Sequence, residues 1–321
     1  MAHRHARYGD RVTDRSPLLD TAPIAPQAEG IGCFRSAAGR ARFSAAYRDG
    51  MATLPPPDET RILDTSFGRT TAYRFGPATA EPLLLLSGRQ ASTPMWRSNI
   101  PGLAAQRTVW SMDSLGEPGA CAQTAPITGP EDQARWLDEA IGQLAVDRVH
   151  VLGVSIGGWL TAQTAIHRPG RLASAILLDP AMTFAPITWK MLVVSLGSVF
   201  PAMPHSLRQR LLSWISGGVR VDDSLPEARL IASGMRDFEQ IPVQPRRPTD
   251  AELRSISVPL LVILAGSSIV HNADRAAEAA RTVPGADVEV WAGRSHAING
   301  EAPAQIADRV GRFLAQRSGT V

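Results

Sequence analysis

Cysteine and lysine are scarce in this 321-residue chain. Two cysteines, Cys33 and Cys121, supply neither a disulfide framework nor metal-ligand spacing, so a reducing, cytoplasmic setting is the simpler expectation. Lys190 is the sole lysine, and 33 basic against 30 acidic residues leave a net charge of only +3. Aromatic residues make up 6% and are not interleaved with a basic stripe, so no nucleic-acid partner is expected. No run reaches the ~18 to 20 apolar residues of a membrane span, and residues 1–30 hold no secretory apolar region, so no membrane role is expected. No Gly-x-Gly-x-x-Gly follows an early strand, and no His/Cys/Asp cluster has ligand spacing. Neither a dinucleotide nor a metal is implied, and no cofactor is expected.

What is present is an alternation of short apolar strands and amphipathic helices. Residues 1–32 contain Pro17, Pro23 and Pro26 without periodicity and read as a flexible extension. A helix within Phe34–Met51 ends before Pro55-Pro56-Pro57, and two strand-like runs, Arg61–Phe67 and Thr70–Phe75, suggest a hairpin around Gly68. Further strands are predicted at Pro82–Ser87, Thr108–Met112, Arg148–Leu152, Ala173–Leu178, Val258–Leu264 and Val288–Trp291. Helices are expected at Glu131–Leu144, Trp159–His167, Asp274–Thr282 and Pro303–Gln316. Leu83–Leu86 is apolar on both faces, as a covered parallel strand should be. Between residues 181 and 251 the alternation lapses into apolar helical stretches at Pro186–Phe200, Ser206–Ile215 and Pro226–Phe238. This pattern predicts a core of residues 33–180 and 252–321 interrupted by a helical cap at 181–251.

The most informative stretch is Val149-His-Val-Leu-Gly153-Val-Ser155-Ile-Gly157-Gly-Trp159-Leu160, a strand, a Gly-x-Ser-x-Gly turn and a helix. So sharp a reversal strains the middle residue and demands small neighbours, which leaves the serine hydroxyl exposed at the top of a sheet. Taken with Pro82–Gly88, Asp179-Pro180, Pro259–Gly266 and Gly293-Arg-Ser-His296 in this order, the chain resembles the α/β-hydrolase superfamily over residues 34–316. Met95-Trp96 and the Ser155–Trp159 elbow are most similar to its bacterial carboxylesterase-like and proline-iminopeptidase-like branches. The resemblance implies an α/β fold with a mostly parallel eight-stranded sheet, flanking helices and a cap after the sixth strand.

It also implies Ser155 as nucleophile and His296, 141 residues later in a glycine-containing loop, as its base. The orienting acid is ambiguous. The family's usual position lies in Gly266-Ser-Ser-Ile-Val-His271-Asn272-Ala-Asp274, where no carboxylate stands at the expected place and Asp274 comes late. Asp179, at the tip of the sixth strand where some α/β-hydrolases carry the acid, is the catalytic acid that the resemblance then implies, with Asp274 as the alternative, although Asp-Pro is also a common end to a strand. Asn272 or His271 could instead orient His296 without a charge. Backbone N–H groups of Ile156 and Arg89 are the implied oxyanion donors, with Gly88 permitting close approach and Ser87 replacing a customary histidine. Asp113-Ser-Leu-Gly116 resembles a structural loop at the base of the site.

Gly88, Trp96, Trp159, Phe184 and Trp189 are the expected pocket residues, implying a lipophilic small-molecule partner. The expected activity is hydrolysis of a carboxylic ester or thioester through an acyl-serine. The alternative is a natural-product elimination, cyclisation or acyl transfer by the same Ser155/His296 pair. A monomer or homodimer suits either chemistry.

Overall fold

The computed structural model describes residues 18–25, 30–105, 107–191, 225–240 and 245–318. Its strands are β1 (Cys33–Phe34), β2 (Glu59–Thr65), β3 (Gly68–Phe75), β4 (Leu83–Leu86), β5 (Val109–Met112) and β6 (Cys121–Gln123). They continue with β7 (Val149–Val154), β8 (Leu172–Leu178), β9 (Phe238–Glu239), β10 (Leu260–Ala265) and β11 (Asp287–Trp291). Nine form one mostly parallel sheet in the order β11-β10-β8-β7-β4-β5-β3-β2, with β6 on β3. The resemblance implied eight strands. The ninth, β6, is a three-residue edge segment paired antiparallel to Gly68–Thr70, too short to show an alternation in sequence. Gly68 opens β3 rather than joining the hairpin, and a side chain there would meet Ala122 O at 2.3 Å.

The central strands alternate between two apolar layers. Leu84 and Leu86 of β4 and Leu260, Val262 and Leu264 of β10 face the layer shared with helices Pro130–Gly142 and Ile156–His167. Leu83 and Leu85, with Leu261 and Ile263, face the opposite layer, shared with helices Ala37–Met51 and Pro303–Ser318. Burial on both faces explains the unbroken apolar runs. It also fixes register, because a one-residue slip would exchange the two sets of side chains.

One expectation about the periphery needs correction. Residues 18–25 and 30–32 are not a loose extension: Leu18, Leu19, Ala22 and Ile31 are buried, and Ile24 bridges Phe34. Leu19 and Ala22 join Phe34, Phe43 and Tyr47 in one apolar cluster, and the Arg40 guanidinium donates to Ala22 O at 2.9 Å. Lack of periodicity signals the absence of a regular element, not the absence of burial. Leu19→Ala is therefore expected to lower unfolding free energy by about 2–5 kcal/mol, read as a reduced urea midpoint at unchanged slope. An unaltered midpoint would mean that this segment contributes no packing.

The inserted segment is described in part. Its described helix, Pro226–Asp237, is fastened to the N-terminal part of the chain. β9 pairs antiparallel with β1, and buried Asp237 accepts from Arg42 at 2.6 Å and Arg236 at 2.7 Å. Expected helical residues beyond 191 in Pro186–Phe200, and the whole of Ser206–Ile215, lie outside the described residues. Among the described residues no helix is long and apolar enough to cross a membrane.

Candidate active site

β7 lies between β4 and β8, so its end opens at the middle of the sheet. Ser155 follows it immediately at φ 55°, ψ −117°, and helix Ile156–His167 begins at the next residue. The flanking glycines answer to sterics: a Cβ on Gly153 would sit 2.1 Å from Gly157 O, and one on Gly157 would sit 2.4 Å from Leu86 O. A left-handed serine costs roughly 1–3 kcal/mol and persists only where its surroundings hold it. Here the Ser155 N–H donates to Leu178 O at 3.0 Å, and its carbonyl accepts from the Trp159 and Ala181 N–H groups at 3.1 Å each.

Asp179 ends β8 at φ 41°, fully buried, with its N–H donating to Ile263 O at 2.8 Å. Its Oδ1 accepts from the Ala265 N–H at 3.0 Å, and its Oδ2 from Ser268 Oγ at 2.7 Å. His296 Nδ1 lies 2.6 Å from the same Oδ2, and His296 Nε2 lies 2.8 Å from Ser155 Oγ. This geometry assigns the ring proton to Nδ1, leaving Nε2 as the acceptor that faces the serine hydroxyl. Burial pushes the Asp179 carboxyl upward, but His271 and His296 outweigh it and hold the group well below the usual carboxylate range. It therefore remains a carboxylate able to stabilise an imidazolium.

The histidine loop is braced as well. The Ser295 N–H donates to Glu301 Oε2 at 2.9 Å, and Ser295 Oγ bonds the other oxygen of the same carboxylate. On the other side of Ser155, a Cβ built on Gly88 would lie 3.5 Å from Ser155 Cβ, so the loop after β4 passes directly beside the serine. Among the described residues the Arg89 and Ile156 N–H groups have no acceptor. The loop after β5 restrains this turn at two points. Glu117 accepts the Gln90 N–H at 2.8 Å, while Asp113 accepts both the N–H and the hydroxyl of Thr93 at 2.8 Å. Tyr47 and the Ala120 N–H occupy the other Asp113 oxygen at 2.7 Å each.

A strained serine at a strand–helix turn, hydrogen-bonded through histidine to a carboxylate at another strand end, agrees with comparisons to known proteins. Residues 83–309 match the alpha/beta hydrolase family. The chain belongs to the alpha/beta hydrolase family. It is 27% identical over 285 residues to an uncharacterized carboxylesterase, nap, of Bacillus subtilis (strain 168), covering 87% of this chain and 94% of that protein. Carboxylesterase YbfK of the same organism is 26% identical over 283 residues, covering 85% and 93%. The crystal structure of naproxen esterase (carboxylesterase NP) from Bacillus subtilis superposes with a TM-score of 0.78 at 26% identity, covering 86% of this chain and 98% of that one.

In this alpha/beta hydrolase the alternative orienting residues separate. Asp274 is exposed in the first turn of helix Ala273–Ala280, and Asn272 caps that helix by accepting the Arg275 N–H at 2.9 Å. Neither is brought to His296. His271 is buried, with Nε2 3.1 Å from Asp179 Oδ1 but without the alignment of a hydrogen bond, so it contacts the acid rather than the base.

The expected pocket residues also divide. Gly88 adjoins Ser155, and Trp159 lines a pocket beside Ile156 with Leu115, Ile127 and Leu160. Trp159 is fixed there by its indole N–H, which donates to Arg246 O at 2.9 Å. Trp96, Phe184 and Trp189 do not line this pocket. Trp96 ends a proline-led turn, Thr93–Trp96, that carries it into the core with Tyr47 and Ile100. Phe184 is buried in the opposite apolar layer, and Trp189 is 68% exposed. Reading the sequence alone passed over Ser268, Glu117 and Glu301, polar residues whose partners lie in other loops. The one visible hint was Asp113-Ser-Leu-Gly116, which places a carboxylate just after a central strand.

Proposed function

We propose that this alpha/beta hydrolase cleaves carboxylic esters or thioesters of lipophilic small molecules through an acyl-serine on Ser155. The observation that carries the reading is the line from Ser155 Oγ to His296 Nε2 at 2.8 Å and from His296 Nδ1 to Asp179 Oδ2 at 2.6 Å. Ser155 attacks the substrate carbonyl as His296 Nε2 takes its proton, and Asp179 stabilises the imidazolium so formed. The Ile156 and Arg89 N–H groups receive the developing oxyanion. His296 then returns the proton to the departing alcohol or thiol, and water activated by the same nitrogen releases the acid. Ile156 also heads the helix, so the positive end of the helix dipole adds to its N–H.

Full-length relatives named as carboxylesterases support the ester class. Leu115, Ile127, Trp159 and Leu160 support a lipophilic substrate body, and Gln240 of the inserted segment lines the same pocket, which supports a capping role for that segment. The carboxylate of Asp179, 2.6 Å from His296 Nδ1, favours hydrolysis over elimination, cyclisation or acyl transfer by the same pair, because it supports a charged imidazolium.

Intact mass after exposure to a fluorophosphonate tests the proposal. A single adduct is expected on the wild type, none on Ser155→Ala, and slow labelling of His296→Ala. No adduct on the wild type would overturn the activated serine.

A further inference from the structure

The loop that supplies the Arg89 N–H contains no regular element between β4 and the Thr93–Trp96 turn. Its Gln90 sits at φ 59°, in the left-handed region that a non-glycine residue occupies only when held. The Arg89 N–H belongs to the Gly88–Arg89 peptide, and Gly88 gives that plane unusual freedom to rotate. Two carboxylates from the loop after β5 restrain the segment. Asp113 fixes Thr93 at its far end, while Glu117 Oε2 accepts the N–H of Gln90, the peptide next to the one that matters.

Glu117 keeps some exposure to the pocket it lines, yet protein surrounds its carboxyl. The Gln240 side chain donates to the same Oε2, the Arg89 guanidinium faces the group from the β4 loop, and the buried Cys121 thiol approaches from β6. Burial pushes the Glu117 carboxyl up to about 7, against the opposing pull of Arg89 and of the two hydrogen bonds. This buried carboxyl holds the Gln90 N–H at 2.8 Å, two residues beyond the Gly88 that adjoins Ser155.

We propose that Glu117 is a positioning residue that holds the 89–90 peptide, through the Gln90 N–H, so that the Arg89 N–H points at the oxyanion. The inference rests on the oxyanion-hole reading given above. Glu117 touches no reacting atom, so its effect should fall on the transition state rather than on substrate binding.

The test is steady-state hydrolysis of a p-nitrophenyl ester, together with inhibition by an alkyl boronic acid that mimics the tetrahedral adduct. Glu117→Met is expected to lower kcat by about 10- to 100-fold, with KM nearly unchanged and boronate affinity weakened in step, since one oxyanion donor is worth up to about 10³. Glu117→Gln keeps an acceptor oxygen and should recover most of kcat. Should Glu117→Met fail to fold, Glu117→Asp shortens the reach by one methylene and should still lower kcat, by about tenfold.

If Glu117 only walls the pocket, the variants would raise KM and leave kcat and boronate affinity intact, which overturns the proposal. A wild type that hydrolyses esters beside an unimpaired Glu117→Met refutes the Glu117 assignment alone. A wild type with neither hydrolysis nor a fluorophosphonate adduct refutes the functional reading, and this inference with it.

Discussion

Asp179→Asn lowers kcat by about 10⁴-fold with little change in KM, whereas Asp274→Asn leaves both unchanged. The reason lies in the donors around the buried carboxylate: Ala265 N–H on Oδ1, and Ser268 and His296 on Oδ2. An amide presents one NH₂ to this set whichever way it turns. Facing His296, the NH₂ forces the ring proton onto Nε2, where it points at Ser155 instead of accepting from it. Facing the Ala265 N–H, it opposes donor to donor at a buried site, at about 1–3 kcal/mol of stability. Either arrangement also removes the charge that stabilises the imidazolium. Asp274, exposed on a helix, serves as the matched control. Equal turnover of Asp179→Asn and wild type would sink the assignment.

The same carboxylate gives a pH dependence of known sign. Its folded pKa lies below the unfolded value of about 3.9. Its stabilisation is therefore fully present above the unfolded value and is lost as pH falls toward the folded one. The thermal midpoint of wild type should exceed that of Asp179→Asn at neutral pH, and the gap should narrow below about pH 4.

Gly157→Ala is the second large effect, expected to destabilise by about 4 kcal/mol or more and to abolish turnover in whatever fraction folds. Its added Cβ would lie 2.4 Å from Leu86 O, 2.6 Å from Ser87 O and 2.8 Å from Leu86 C, all of them backbone atoms. Flexible side chains can yield to such a contact, but the end of a central strand cannot. Relief requires the helix to move, and the Ile156 N–H and Ser155 hydroxyl move with it. Gly311, exposed in helix Pro303–Ser318 with nothing within 4 Å of its built Cβ, is the informative contrast. Gly311→Ala should be neutral or stabilising by up to about 1 kcal/mol. Urea unfolding of both variants beside wild type checks the pair, and a Gly157→Ala midpoint near wild type would refute the steric account.

Much of the site could be read from residue order because its demands are local. A strand that reverses into a helix over Gly153, Ser155 and Gly157 is dictated by steric contacts within five residues. Runs such as Leu83–Leu86 declare a doubly covered strand, since their alternate side chains enter two different apolar layers. His296 was legible from its place after the last strand. The acid was legible only as a choice, Asp179 at a strand end against the late Asp274, because what separates them is the set of donors that forms once β8 and β10 lie side by side. That pairing brings Ala265 and Ser268 to the Asp179 carboxylate, residues 86 and 89 positions away.

Pocket and core aromatics were equally indistinct, because Trp96, Phe184 and Trp159 have the same apolar character wherever they pack. The chain by itself determined the elbow, the two-faced strands and the order of the functional loops, all consequences of short-range sterics and side-chain periodicity. Tertiary structure alone decided which carboxylate meets His296, which aromatics are core, and that Leu19 and Ala22 belong to the fold. Those outcomes depend on donors, acceptors and apolar surfaces that meet only after distant segments have packed.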